Sequence, residues 1–295
     1  DLGLICSETD AAVAGVFTTN QVQAAPVILT RERVKAGSCR AVVVNSGNAN
    51  CCTGSRGMAD AGAMAGRAAE ALQIPETSVL VASTGVIGKL LNMGAIESAM
   101  PKLAAGLSDD GWGDLAQAMM TTDTVPKVVS REIQIGDQAC TITGVAKGAG
   151  MIRPDMATML CFVVTDAAVS PEILKKMLKT ANDGSFNRIT IDGDTSTNDM
   201  VLLMANGAAG VKIEEAEAAE SFQTALNEVF TSLAKMIVKD GEGATKFVEI
   251  EVRGAASDSD ARKAADAVAN SSLVKTALFG EDANWGRIMA AVGRS

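Results

Sequence analysis

Short apolar runs, each closed by a polar or glycine-rich turn, alternate along this chain with longer alanine-rich stretches, and that alternation points to an α/β architecture. Residues 41–45 (AVVVN) and 79–83 (VLVAS) read as buried strands, with an alanine-rich helix over residues 57–72 between them. Residues 128–135 and 139–143 flank Gly136-Asp137, a hairpin signal. Residues 158–165 (TMLCFVVT) form the strongest strand pattern. Ser170-Pro171-Glu172 marks a helix start, an N-cap serine followed by proline in the first turn, and that helix is expected to run to about residue 180. Residues 214–239 are the longest helical stretch, ending at Asp240-Gly241. Residues 247–252 read as a strand and residues 258–269 as a helix. The sum is an α/β protein with more than one sheet, layered and flanked by helices. Its 295 residues suffice for one large domain or two lobes. Because aromatics are only 3% of the chain, its core must be built from Ala, Val, Leu, Ile and the 14 Met.

Composition also removes function classes. A net charge of −9 with no basic stripe argues against a nucleic-acid or anionic-membrane partner. No apolar run approaches the roughly 20 residues of a spanning helix, and Asp1-Leu2-Gly3 does not open a basic-then-apolar leader, so a cytoplasmic location is expected. Cys6, Cys39, Cys51, Cys52, Cys140 and Cys161 make no Cys-x-x-Cys pair and read as buried reduced thiols. The chain contains no histidine, which excludes zinc sites of the mixed Cys/His type, and no metal is expected.

The missing imidazole matters most for chemistry. Ser–His–Asp and Cys–His mechanisms are ruled out, and tyrosine is absent too. A general base must then be Lys, Asp, Glu or an α-amine. The last becomes available when a nucleophilic Thr is also a chain terminus, because its own amine lies beside its hydroxyl.

Five segments carry polar groups suited to a site. Residues 147–160 (KGAGMIRPDMATML) place Lys147 ahead of two glycines and Thr158 at the opening of the strong strand. Lys147 can hold a carboxylate or serve as a base. A hydroxyl such as that of Thr158 is what an N→O acyl shift at the preceding peptide requires, although a Thr opening a strand is also ordinary. Residues 83–88 (STGVIG) follow a strand, so the Thr84 hydroxyl and the Gly85 N–H can face a developing oxyanion; a plain turn is the alternative. Residues 240–246 (DGEGATK) offer Glu242 as a partner for an ammonium group, or form a polar helix-end turn. Residues 187–199 are dense in hydroxyls and carboxylates but lack the spacing of the common calcium loop, and read first as self-satisfied turns. The asparagine-rich residues 44–50 read likewise, and no Gly-x4-Gly-Lys-Ser/Thr phosphate loop occurs.

Taken together, the strings at residues 15–20, 44–50, 83–88, 121–124, 147–160, 187–199, 240–247 and 279–294 resemble, over nearly the whole chain and in the same order, the ornithine acetyltransferase family, the bifunctional glutamate N-acetyltransferases of arginine biosynthesis. The resemblance implies an N-terminal-nucleophile-like fold made from a precursor that cleaves itself between Ala157 and Thr158. An alpha fragment, residues 1–157, would carry the oxyanion hole and substrate contacts. A beta fragment, residues 158–295, would begin at the nucleophile Thr158, and the family's C-terminal tail, which carries further contacts, is expected beyond Ser295. Thr84 and Gly85 are then the oxyanion hole, and Thr121, Lys147, Thr158 and Glu242 the substrate contacts. The implied reaction passes acetyl from N-acetylornithine to Thr158 and on to glutamate, with no bound cofactor and acetyl-coenzyme A as a possible further donor. The implied assembly is a heterotetramer of two fragments of each kind. An aminopeptidase or amidase on the same scaffold, with water as acceptor, is the rival enzyme reading. A non-enzymatic protein holding a metal or sugar in the 187–199 loop is the rival binding reading.

Overall fold

A computed structural model of the chain describes residues 1–153 and 159–295. The strands are β1 (Leu2–Phe17), β2 (Ser38–Asn45), β3 (Val79–Ser83), β4 (Lys127–Ile135), β5 (Gln138–Lys147), β6 (Leu160–Thr165) and β7 (Met200–Ala205). The helices are α1 (Ala25–Val34), α2 (Gly54–Leu72), α3 (Met93–Ala105), α4 (Trp112–Met119), α5 (Pro171–Gly184), α6 (Ala216–Lys239), α7 (Asp258–Ala269), α8 (Ser272–Phe279) and α9 (Trp285–Val292). The apolar runs became β2, β3 and β6, and Gly136-Asp137 turns the β4–β5 hairpin. Ser170 caps α5 by accepting the N–H of Ile173, and the helix runs four residues past the expected end.

All seven described strands join one sheet in the order β3-β2-β1-β7-β6-β5-β4, where more than one sheet was expected. The reason is β1. Its first part pairs antiparallel with β2 and its last part antiparallel with β7, with a register shift between Cys6 and Ala11. It thereby links the parallel pair β2–β3 to the parallel pair β6–β7 and the hairpin beyond.

The layering is carried by packing instead. Along each strand successive side chains point to opposite faces. Ala41, Val43, Val79 and Val81 pack under α2 and α3 with Met64, Ala65 and Met100. Cys161, Val163, Val201 and Leu203 pack under α5 and α6 with Leu178, Phe222, Phe230 and Leu233. The alternate residues of both halves, Val42, Val44, Leu80 and Ala82 with Phe162, Met200 and Leu202, meet in one shared core that α4 enters through Leu115, Ala116 and Met119. Helices therefore cover the outer faces and the inner faces close on a common interior.

Two further expectations fail. Residues 247–252 form no ladder with the described strands. Phe247, Val248 and Ile250 stay exposed, with the Lys239 ammonium over the Phe247 ring and Lys235 paired to Glu249 on the flank of α6. The alternating pattern was real, but a strand needs a neighbour to bond, and no described strand lies there. The thiols are also not uniformly buried: Cys39, Cys51, Cys140 and Cys161 are, whereas Cys6 is half-buried and Cys52 exposed, all six unpaired. Burial pushes Cys39 up to about 12 and Cys140 to about 11, with nearby Asp10 and Asp166 adding to it, so these thiols are inert in the folded chain. No helix among the described residues is long and apolar enough to cross a membrane.

Candidate functional site

The loops leaving β2, β3 and β5 and those entering β6 and β7 gather at one end of the fold. Asn198 ties them, its side-chain amide donating to the Ala49 carbonyl at 2.7 Å and the Ser83 carbonyl at 2.8 Å. The Thr18 N–H donates to the Asp199 carbonyl, and the Ala24 N–H to that of Thr197. The 187–199 segment thus serves largely as a bracket. Asp192 accepts the backbone N–H groups of Met151 and Ile152 as well, so its polar groups satisfy turns and neighbouring loops.

Thr84 and Gly85 follow the last residue of β3. Thr84 is buried. Its N–H donates to the Asn45 carbonyl, and the Val86 N–H to that of Gly47. Gly85 has a φ of +125°, and a Cβ there would lie 2.3 Å from the Gly47 carbonyl carbon. Only glycine fits this close approach. Neither the Thr84 hydroxyl nor the Gly85 N–H is engaged in a hydrogen bond with a described residue, which leaves two adjacent donors available to a ligand.

Lys147, the last residue of β5, is 3% exposed and donates to the Thr121 hydroxyl at 2.7 Å. Its ammonium lies 3.6 Å from Asp123. Burial pulls its titration below the ordinary lysine range; Asp123 opposes that, Lys127 reinforces it, and Asp199 opposes it. Asp123 also accepts Lys127 Nζ at 2.8 Å, the Gly148 N–H at 2.6 Å and the Thr121 N–H at 3.2 Å. Lys127, with no solvent exposure, reaches on to Asp240 at 2.6 Å, and Asp240 accepts from the backbone and hydroxyl of Thr124. This buried network binds the 121–127 loop and the β5 end to the C-cap of α6. Two residues on, the exposed Glu242 donates its N–H to the Ala149 carbonyl, and its carboxylate lies so close to Gly150 that a Cβ there would meet Oε1 at 2.5 Å.

Ala157 and Thr158 lie outside the described residues. Of their neighbours, Met159 donates its N–H to Asp199 Oδ1 at 2.9 Å, and its carbonyl accepts the Met200 N–H. Asp199 is fully buried, and its Oδ2 has no hydrogen-bond partner among the described residues. Burial holds this carboxyl well above the usual carboxylate range, against the opposing pull of the Met159 N–H, Ser196 and the Lys147 charge.

The structure thus brings Thr121 and Lys147 into contact, sets Glu242 beside the adjoining glycines, and joins the Thr84 loop to the Asp199 loop through Asn198. Sequence reasoning quoted the strings holding Asp123, Asn198, Asp199 and Asp240 without giving these residues roles, and it passed over Lys127. Only their burial and pairing reveal them. The cavity of about 910 Å³ between the inner faces is lined by Glu8, Arg40, Trp112, Thr143 and Asp166 among others, and by none of the expected site residues.

The whole chain, residues 1–295, matches the ArgJ family. It is 61% identical over 297 residues to the arginine biosynthesis bifunctional protein ArgJ of Geobacter sulfurreducens, spanning 100% of this chain and 76% of that protein. The protein of the same name from Syntrophotalea carbinolica is 59% identical over 298 residues, spanning 100% and 75%. A crystal structure of the arginine biosynthesis bifunctional protein of Bacillus halodurans is 44% identical at a TM-score of 0.50, covering 53% of this chain and 83% of that one. With its full length matched and its identity to curated members this high, the chain belongs to the ArgJ family.

Proposed function

We propose that this ArgJ-family acetyltransferase of arginine biosynthesis moves an acetyl group from N-acetylornithine to glutamate through an ester on Thr158. The observation that carries the reading is the 61% identity, end to end, to a bifunctional arginine-biosynthesis protein. Its chemistry suits a chain without imidazole. The precursor first cleaves itself: the Thr158 hydroxyl attacks the Ala157 carbonyl, the peptide C–N bond breaks, and water hydrolyses the resulting ester. This yields fragments 1–157 and 158 onward and a free α-amine on Thr158.

In transfer, the Thr158 hydroxyl attacks the acetyl carbonyl and its proton passes to the α-amine. The Gly85 N–H and Thr84 hydroxyl hold the oxyanion; one such donor contributes about 3 kcal/mol. The C–N bond then breaks, the proton goes to the departing amine of ornithine, and glutamate's amine takes the acetyl group by the reverse path. Lys147 with Thr121 holds the substrate carboxylate, and Glu242 the side-chain ammonium of ornithine. Two further points belong to the same reading: acetyl-coenzyme A is an alternative donor, and the working form is a cytoplasmic heterotetramer of two fragments of each kind.

Intact-mass analysis and an assay with N-acetylornithine and glutamate test this together. The expected result is two fragments, the second beginning Thr-Met-Leu-Cys, and acetylglutamate as product. Thr158→Ala should give one uncut chain and no transfer. Transfer by that variant would overturn the mechanism, and free acetate without acetylglutamate would favour an amidase.

A further inference from the structure

We infer that Asp123 is the positioning residue of the carboxylate-binding pole: from beneath the site it fixes Lys147 and Thr121 in place and keeps the Lys147 ammonium charged. The inference rests on the proposed role of Lys147 as the substrate's carboxylate partner. Its support is geometric. One carboxylate takes the Thr121 N–H on Oδ2, the Gly148 N–H on Oδ1 and the Lys127 ammonium on Oδ1, with Lys147 Nζ 3.6 Å from Oδ2. Both residues proposed to hold the substrate carboxylate, Thr121 and Lys147, and the turn that follows β5 therefore share one buried anchor.

The arrangement solves an electrostatic problem. A lysine this buried loses its proton readily unless a negative charge stands nearby, and a neutral amine does not hold a carboxylate. Asp123 supplies that charge without competing for the substrate, because its oxygens are already occupied by the backbone and Lys127. The charged groups facing Lys147 are Asp123, Lys127 and Asp199. Lys127 is itself held by Asp240, so it presses on Lys147 as a fixed positive charge.

Asp123 and Lys127 therefore act on Lys147 with opposite sign, and this separates a charge-setting role from a merely structural one. The test is the pH dependence of KM and kcat for N-acetylornithine in the full-chain enzyme. Wild type should lose affinity as pH rises through the point where Lys147 gives up its proton. In Asp123→Asn that break should move to lower pH, so that KM rises about tenfold per pH unit above it and recovers when the pH is lowered, while kcat changes far less. In Lys127→Met the break should move to higher pH. Should Asp123→Asn fail to fold, Lys127→Met decides the matter alone. Breaks that stay put, or that shift in the same direction in both variants, overturn the inference. If Lys147→Met keeps the wild-type KM, the underlying role of Lys147 falls instead, and the two failures are told apart.

Discussion

Single residues at this site are fixed by what surrounds them more than by their own chemistry. Gly85 is the sharpest case. Its φ of +125° is one that residues with a Cβ rarely adopt, and the Gly47 carbonyl leaves no room for that atom. Gly85→Ala must push the turn away from Gly47, at a cost of about 1–3 kcal/mol, and re-aim the N–H proposed for the oxyanion. The expected outcome is a modest fall in melting temperature with a loss of about 10²–10³ in kcat. A variant that melts early yet transfers acetyl at the wild-type rate would remove Gly85 from the chemistry.

At the scale of elements, the sequence was legible wherever a segment's pattern and its partner agreed. Val79–Ser83 and Asp258–Ala269 stand where their residue patterns put them, and the Ser257 side chain caps the helix by accepting the Asp260 N–H. The hairpin follows its glycine turn. What stayed hidden was relational. The sixteen-residue β1 mixes polar and apolar residues and changes partners midway, so no single period marks it. Residues 247–252 have the pattern without a partner. At the site, Thr84, Gly85, Lys147 and Glu242 could be singled out as candidates because they stand in quotable strings, whereas Lys127 looks like any exposed strand lysine until its burial is known. Asn198 belongs to the same hidden class: its amide couples the β3 turn to the β7 entry. Asn198→Ala leaves the Ala49 and Ser83 carbonyls without that donor, a cost of roughly 2 kcal/mol. Urea unfolding should show the drop in midpoint, and acetyl transfer should fall as well, because the Thr84 turn and the Asp199 loop are then free to drift apart. An unchanged midpoint would mean that the other loop bonds suffice.

For the whole molecule, the buried ions decide how stability answers to pH. With no histidine, no side chain of the usual neutral-range kind titrates between pH 5 and 8. Asp123 and Asp240 join the β4 start, the β5 end and the C-cap of α6 through Lys127. Burial alone would raise both carboxyls, but at Asp123 the charges of Lys147 and Lys127 and the Gly148 N–H outweigh it, and at Asp240 the bonds from Lys127 and Thr124 do. Both therefore titrate below the usual range in the folded chain. The sign follows from linkage: a carboxyl with a lowered folded pKa stabilises fully above its unfolded value of about 4, and that stability is lost as pH falls through the folded value. Asp199, held upward by burial, works oppositely, and its contribution shrinks as pH rises through the unfolded value. Unfolding free energy should thus fall steeply in acid, below about pH 4. Asp123→Asn should be less stable at neutral pH and show a shallower acid limb, because one of the protons taken up on unfolding is gone. Denaturant titrations across that range measure both slopes. If the variant's acid limb is as steep as that of wild type, the Asp123–Lys127–Asp240 network is not what acid breaks first.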